Sequence, residues 1–270
     1  MKKSLLLRAL TVAGVLSAAA AANAYDFEID GVYYKILSSD DKTVAVCDNG
    51  APLDEYYQQP ASYSGEVSVP ATVVNGEEEY TVTTVADGAF ENSSELTSVT
   101  LPETITTIEY SAFQNCSGLT TLVVPDAVEK ISIWAFSGCS SLESIVLGKS
   151  LKSIAWGAFD YTYALTQIDC LAVTPPTLSE DDDPFYSGNY YSATLRVPAE
   201  SIDAYKEATC WKNFETVEAL PESGVAKVWA DSRQSAVYDL NGRYAGSTLQ
   251  NLDRGIYIVK AGEKTYKVKK

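Results

Sequence analysis

Ile105-Thr106-Thr107-Ile108-Glu109-Tyr110-Ser111-Ala112-Phe113-Gln114-Asn115-Cys116-Ser117-Gly118-Leu119-Thr120-Thr121-Leu122-Val123-Val124-Pro125 is one unit of a pattern that decides the fold. Ala-Phe recurs at Ala89-Phe90, Ala112-Phe113, Ala135-Phe136 and Ala158-Phe159, always at the same step (113 − 90 = 136 − 113 = 159 − 136 = 23). Other columns keep that step: Val85, Ile108, Ile131, Ile154; Leu96, Leu119, Leu142, Leu165; and Val99, Leu122, Ile145, Ile168. Four units in register, with no insertion, predict a coil of stacked rungs over Val82–Val173.

Each unit has an Ile-x-x-Ile step, then Ala-Phe with a small polar turn, then a strand Leu-x-x-Val-x-Leu/Val-Pro. Period-two placement late in the unit suits a strand with one buried face. Proline ends it, because it has no N–H for a continuing ladder; Gly148 takes that place in the third unit. No unit can bury its apolar residues alone. One buried phenylalanine is worth about 1.5–3 kcal/mol, and stacking puts Phe90, Phe113, Phe136 and Phe159 in one interior column. Open strand edges at the two ends need covers.

Outward from this core, Tyr25–Ile29, Asp30-Gly31 and Val32–Leu37 read as a hairpin, with Thr43–Cys47 as a third strand. The expected N-terminal β cap is 25–64, with 48–64 a loop. Gly65–Pro70 matches the strand end of a unit, but Val69-Pro70 precedes Leu101-Pro102 by a longer step (102 − 70 = 32). That first turn therefore carries a nine-residue insertion (32 − 23), with Asn75-Gly76 at its tip. After Cys170 the register breaks, and Thr174–Pro176 and Ser179–Pro184 read as loop. A strand at Ala193–Pro198 and a short helix at Ala199–Ala208 are expected to close the coil. Pro221–Gly224 reads as a linker. Four strands are expected beyond it: Val225–Ala230, Ser235–Leu240, Gly255–Lys260 and Thr265–Lys269, with a turn at Asn241-Gly242.

Charge is divided sharply. Residues 1–24 carry +3, residues 25–224 carry 8 cations against 32 acids (−24), and residues 225–270 carry 9 against 4 (+5), which sums to −16. A body this acidic repels phosphate backbones, so no nucleic-acid partner is expected. There is no histidine. That removes histidine metal sites and the serine–histidine and cysteine–histidine nucleophile pairs. A basic Met1–Arg8, apolar Ala9–Ala22 and small-residue Ala22-Asn23-Ala24 read as a signal peptide over 1–24. The apolar run is short for a membrane span, so the mature chain is expected to be exported with no transmembrane segment. The five cysteines are an odd count, without C-x-x-C. Cys116 and Cys139 share a column and read as buried apolar side chains, with a disulfide between them as the alternative.

The pattern Ile-x-x-Ile-x-x-x-Ala-Phe-x-x-Cys-x-x-Leu-x-x-Val-x-Leu-Pro resembles the BspA-type leucine-rich repeat of bacterial surface proteins over about 65–220. Ser93 and Thr162 depart from the cysteine column. The resemblance implies a leucine-rich repeat solenoid of 23-residue repeats, mainly β with short helical turns, closed by a strand–helix cap. It also implies an exported protein linked with adhesion to host proteins, at the cell surface or outer membrane or released, with the periplasm as the alternative. Val237–Arg243, Leu252, Gly255–Val259 and the lysine-rich end resemble the C-terminal sorting domain of type IX (Por) secretion substrates. That implies a small all-β sandwich over 225–270, read by secretion machinery.

Candidate binding residues fall in two sets. The outward strand columns are Thr97, Thr120, Glu143, Thr166; Ser98, Thr121, Ser144, Gln167; and Thr100, Val123, Val146, Asp169. Such a flat face suits a protein or glycan, although threonine also simply suits a solvated strand. Tyr110, Trp134 and Trp156 precede the Ala-Phe step and can anchor a partner or pack between rungs; Trp134 is offset by one column. Glu180–Asp183 has the oxygen chemistry for calcium but not the spacing of a known loop. Tyr186, Tyr190 and Tyr191 beside it form a further contact patch. No catalytic residue, metal site or cofactor is assigned. The expected function is a non-enzymatic binding or adhesion module for a host or surface protein or glycan. The alternatives are a glycoside hydrolase using a carboxylate pair and a structural envelope protein.

Overall fold

The computed structural model describes residues 25–51, 61–178 and 183–220, and the backbone of four strands beyond 234. The reading of residues 1–24 as a signal lies outside the described residues, as do 52–60 of the expected loop, Val225–Ala230 and Asn241-Gly242.

The chain opens with β1 (Phe27–Ile29), β2 (Val32–Ser38) and β3 (Thr43–Cys47). β1 and β2 pair antiparallel around Asp30 and Gly31, both at positive φ, as an Asp-Gly hairpin turn requires. β4 (Gly65–Ser68) follows, then the inserted hairpin of β5 (Thr72–Asn75) and β6 (Glu78–Val85), with Gly76 at φ 67 at its tip. β3 lies parallel to β6, so the N-terminal strands continue the sheet of the repeats.

From here each rung gives two strands: the Ile-step strands join one sheet in parallel, while on the other side the first Leu-x-x-Val strand pairs with β4 and the next three form a separate parallel sheet. The Leu-x-x-Val strands are β7 (Leu96–Thr100), β9 (Thr121–Val123), β11 (Ser144–Leu147) and β13 (Gln167–Cys170). The Ile steps also pair, as β8 (Thr107–Ile108), β10 (Lys130–Ile131), β12 (Ser153–Ile154) and β14 (Thr177–Leu178). Ile108, Ile131, Ile154 and Leu178 stand side by side in one sheet, and Leu122, Ile145 and Ile168 in the other.

The repeat connections are not helical, contrary to the expectation of short helical turns. They are successive turns tied rung to rung by backbone bonds. Phe90 N–H donates to Ala112 O (2.7 Å), Phe113 to Ala135 (2.7 Å), Phe136 to Ala158 (2.8 Å) and Phe159 to Pro184 (2.7 Å). Two columns in this layer sit at positive φ: Gly88, Ser111, Trp134, Gly157 and Asn92, Asn115, Gly138, Tyr161. A non-glycine residue there costs about 1–2 kcal/mol. Ser111 is also buried, and its hydroxyl has no hydrogen-bond partner among the described residues. Ser111→Gly therefore relieves strain and removes an orphaned donor. It should stabilise the fold by about 1 kcal/mol, read as a higher urea midpoint at unchanged slope; a loss of stability would contradict this account.

The interior column is as expected and longer. Phe90, Phe113, Phe136 and Phe159 are fully buried and stack at centroid spacings of 4.7, 5.3 and 5.1 Å, within 12° of parallel. Tyr63 sits before Phe90 (4.6 Å) and Phe185 after Phe159 (5.2 Å). The stretch after Cys170 is thus a fifth rung, and not only loop. Its insertion widens the step between column members (185 − 159 = 26), which hid it from a fixed-period reading.

Closure follows through α1 (Asn189–Ser192), β15 (Thr194–Val197), α2 (Ile202–Glu207) and β16 (Thr216–Ala219). The expected strand and helix are present, and β16 adds one more parallel strand beside β15. Trp211 and Tyr205 plug this end, both fully buried. Trp211 Nε1 donates to Pro176 O at 2.8 Å and Tyr205 Oη to Ala172 O at 2.8 Å. Farther on, β17 (Ser235–Tyr238), β18 (Tyr244–Gly246), β19 (Ile256–Ala261) and β20 (Lys264–Lys269) form an antiparallel sheet. Three of these strands were expected; β18 was not.

Candidate functional site

The outward strand columns reach the surface unevenly. Thr97, Ser98, Thr120, Glu143 and Thr166 are exposed, while Thr100, Thr121, Ser144 and Gln167 are half-buried. Thr121, Ser144, Gln167 and Thr194 line up across neighbouring strands. These residues form a regular polar ribbon.

Asp169 is not part of it. Its side chain is buried, and Arg196 grips it through two bonds, Nε to Oδ1 at 2.7 Å and Nη2 to Oδ2 at 2.6 Å. The two residues are directly opposite on β13 and β15. Two parallel N–H···O⁻ bonds in fork geometry are the strong form of such a pair. Asp169 therefore ties the last regular rung to the closing strand. Sequence reasoning missed this because Arg196 lies outside the repeat step (196 − 169 = 27, against 23).

The aromatic residues do form a continuous strip. Tyr110 meets Trp134 at 5.6 Å and Trp134 meets Trp156 at 5.2 Å, at tilts of 52° and 49°. The one-column offset of Trp134 does not break the strip. Trp134 has φ 55, and its indole lies over Gly157, where a Cβ would come within 2.7 Å of Cδ1. Trp134 is half-buried, whereas Tyr110 and Trp156 keep 44% and 43% of their surface exposed, with Ile133 exposed beside them. The rings pack between rungs and still face solvent.

None of the five cysteines is in a disulfide, and all five are buried. Cys116 and Cys139 donate to the carbonyls of Phe90 (3.0 Å) and Phe113 (3.1 Å) in the preceding rungs. Burial pushes the Cys47 thiol up to about 12 and the Cys170 thiol up to about 11, and holds Cys116 well above its ordinary value. Protonated thiols of this kind serve as packing groups and weak donors. At the end of that column the hydroxyl of Thr162 bonds differently, to Phe159 O of its own rung (2.7 Å) and to Asn189 Oδ1 of the closing segment (3.1 Å).

Of the acidic run, residues 180–182 lie outside the described residues. Asp183 is engaged internally: its Oδ1 accepts from Phe185 N–H (3.0 Å) and from the Tyr190 hydroxyl. The expected Tyr186–Tyr190–Tyr191 patch divides. Tyr190 is buried, Tyr191 is exposed, and Tyr186 instead meets Tyr163. Burial, and then the bond to Asp183, hold the Tyr190 phenol above its ordinary range.

Residues 74–175 match the family described as BspA type leucine rich repeat region, in six copies. No curated protein matches the chain. Solved structures of similar fold include a leucine-rich repeat protein from Bacteroides ovatus, 27% identical over 73% of this chain and 42% of that one, with a TM-score of 0.45. A leucine-rich repeat protein from Bacteroides capillosus is 23% identical over 53% of this chain and 96% of that one (TM-score 0.44). The Treponema pallidum leucine-rich repeat protein is 20% identical over 73% and 83% (TM-score 0.42). The chain thus spans less than half the length of the Bacteroides ovatus protein.

Proposed function

We propose that this chain is a surface-exposed, non-enzymatic binding or adhesion module that holds a protein partner against the aromatic strip Tyr110–Trp134–Trp156. The observation that carries this reading is the strip's exposure. The interior is filled without it, yet three large rings stay in mutual contact and open to solvent. Tyrosine and tryptophan presented on a rigid scaffold are the side chains that dominate protein interfaces. The match of 74–175 to BspA-type repeats supports the same class of function. The outward ribbon of Thr97, Ser98, Thr120, Thr121, Glu143, Ser144, Thr166 and Gln167 offers a second, polar surface on and beside the Leu-x-x-Val strands.

In this reading residues 1–24 direct export, 25–64 cap the coil, 65–220 form the repeat body, and 225–270 address the chain to secretion machinery. Among the described residues no helix is long and apolar enough to cross a membrane.

The test is a screen of the full chain against arrays of extracellular-matrix proteins and glycans, followed by Trp134→Ala. Truncating an anchor of this kind costs about 2 kcal/mol, so a protein hit should weaken roughly 30-fold, beyond the modest fall in Tm expected from losing the contacts to Tyr110 and Trp156, with the variant still folded at the assay temperature. Binding that ignores Trp134→Ala, or hydrolysis of a polymer on the array, would contradict the reading.

A further inference from the structure

We propose that the exposed tyrosine patch Tyr161–Tyr163–Tyr186, on the turns of the fourth and fifth rungs, docks an arginine-rich polypeptide segment of a partner. The patch is distinct from the strip above and was not visible as a group in the sequence. Tyr161 and Tyr163 meet at 6.1 Å and 72°, and Tyr163 and Tyr186 at 5.0 Å and 85°. Tyr161 and Tyr163 are 53% and 57% exposed, and Tyr186 is half-buried, its ring lying over Gly188. The rings meet edge to face, so their faces point in different directions. That geometry gives no flat platform for a sugar chain. It gives separate faces, each able to take a planar cation.

Charge decides the kind of occupant. Residues 153–195 contain no lysine or arginine, and Asp160 lies on the turn that carries Tyr161 and Tyr163 and acts on the Tyr163 phenol. The cations that flank this stretch are already committed: Lys149 to Asp126, Lys152 to Glu129 and Arg196 to Asp169. Among the described residues no cation lies over these rings. The Tyr163 phenol is held above its ordinary value first by desolvation, then by Tyr186, Tyr161 and Asp160. Between the two cationic side chains, arginine fits better. Its guanidinium stacks on a ring and keeps in-plane N–H groups for neighbouring carboxylates, whereas a lysine ammonium is a strongly hydrated point charge.

The probes are fluorescent nona-arginine and nona-lysine peptides, titrated into the full chain and read by anisotropy at physiological salt. The acidic body attracts both, so the informative variant removes rings and leaves charge unchanged. In Tyr161→Ser/Tyr163→Ser, nona-arginine binding should weaken about five- to thirty-fold, and its advantage over nona-lysine should shrink, with Tm unaltered. Trp134→Ala should leave nona-arginine binding as it is, so this proposal and the strip's function fail separately. Equal binding by wild type and the double variant would overturn the proposal, because general attraction would then suffice. So would a neutral oligosaccharide that binds the wild type and not the double variant, which would assign the patch to sugar.

Discussion

Replacing Phe136 with alanine is expected to cost about 3–5 kcal/mol, the range for emptying a fully buried phenylalanine site. Phe136 is an inner ring of the column, fully buried, with Phe113 at 5.3 Å on one side and Phe159 at 5.1 Å on the other. Its loss therefore removes burial and two stacking contacts, each worth about 0.5–1.5 kcal/mol beyond area. The surroundings cannot close the gap. Backbone bonds fix the rung spacing on both sides, Phe113 N–H to Ala135 O (2.7 Å) and Phe136 N–H to Ala158 O (2.8 Å). Each rung touches only its neighbours, so the variant should also weaken the link between the two halves of the coil. Calorimetry should show a Tm lower by about 10 °C and a broader transition than wild type. Phe136→Leu keeps most of the volume and should cost less than about 1.5 kcal/mol. An alanine variant within about 1 kcal/mol of wild type would mean that the column is not the core.

The column was legible because identical spacing needs no other information. Four phenylalanines at a constant step place themselves. What escaped the sequence were positions that keep the role but lose the step. Tyr63 joins the column ahead of Phe90 at a wider interval (90 − 63 = 27), and Phe185 joins it beyond Phe159 (185 − 159 = 26). The sheet of Ile steps escaped for a different reason. Two-residue strands such as Thr107–Ile108 carry no periodicity of their own, and they exist only because the neighbouring rung supplies their partner. Asp169 shows the same limit at the site. Its column position points outward, and only the register with Arg196 shows that it is held in an ion pair. Trp134 is the converse: its offset argued against a strip, but a left-handed backbone at φ 55 accompanies rings that meet anyway.

Gly148 separates the two ways of reading the chain. In the repeat pattern it occupies the place of Pro102 and Pro125, so Gly148→Pro looks like a repair that restores the regular residue and stiffens the chain. The structure predicts the opposite. A Cβ at Gly148 would lie 2.1 Å from Pro125 O, 2.6 Å from Pro125 C and 2.7 Å from Asp126 Cα, all backbone atoms that cannot swing aside. Relief requires the end of β11 to lift from the preceding rung. That strains the Val124 N–H to Val146 O bond, now 2.8 Å. Overpacking typically costs about 1–3 kcal/mol, and a backbone obstacle places both Gly148→Ala and Gly148→Pro at or above the upper end. Gly138→Ala is the control. Its Cβ would come within 2.3 Å of Asn115 Oδ1, a side-chain atom that can turn aside by giving up the exposed Asn115 Nδ2 bond to Asn92 Oδ1, so the remaining penalty is mainly that of φ 74, about 1–2 kcal/mol. Urea midpoints should therefore fall further for Gly148→Ala than for Gly138→Ala. If Gly148→Pro instead raises the midpoint, the inter-rung contact at Pro125 is wrong and the pattern alone is the better guide.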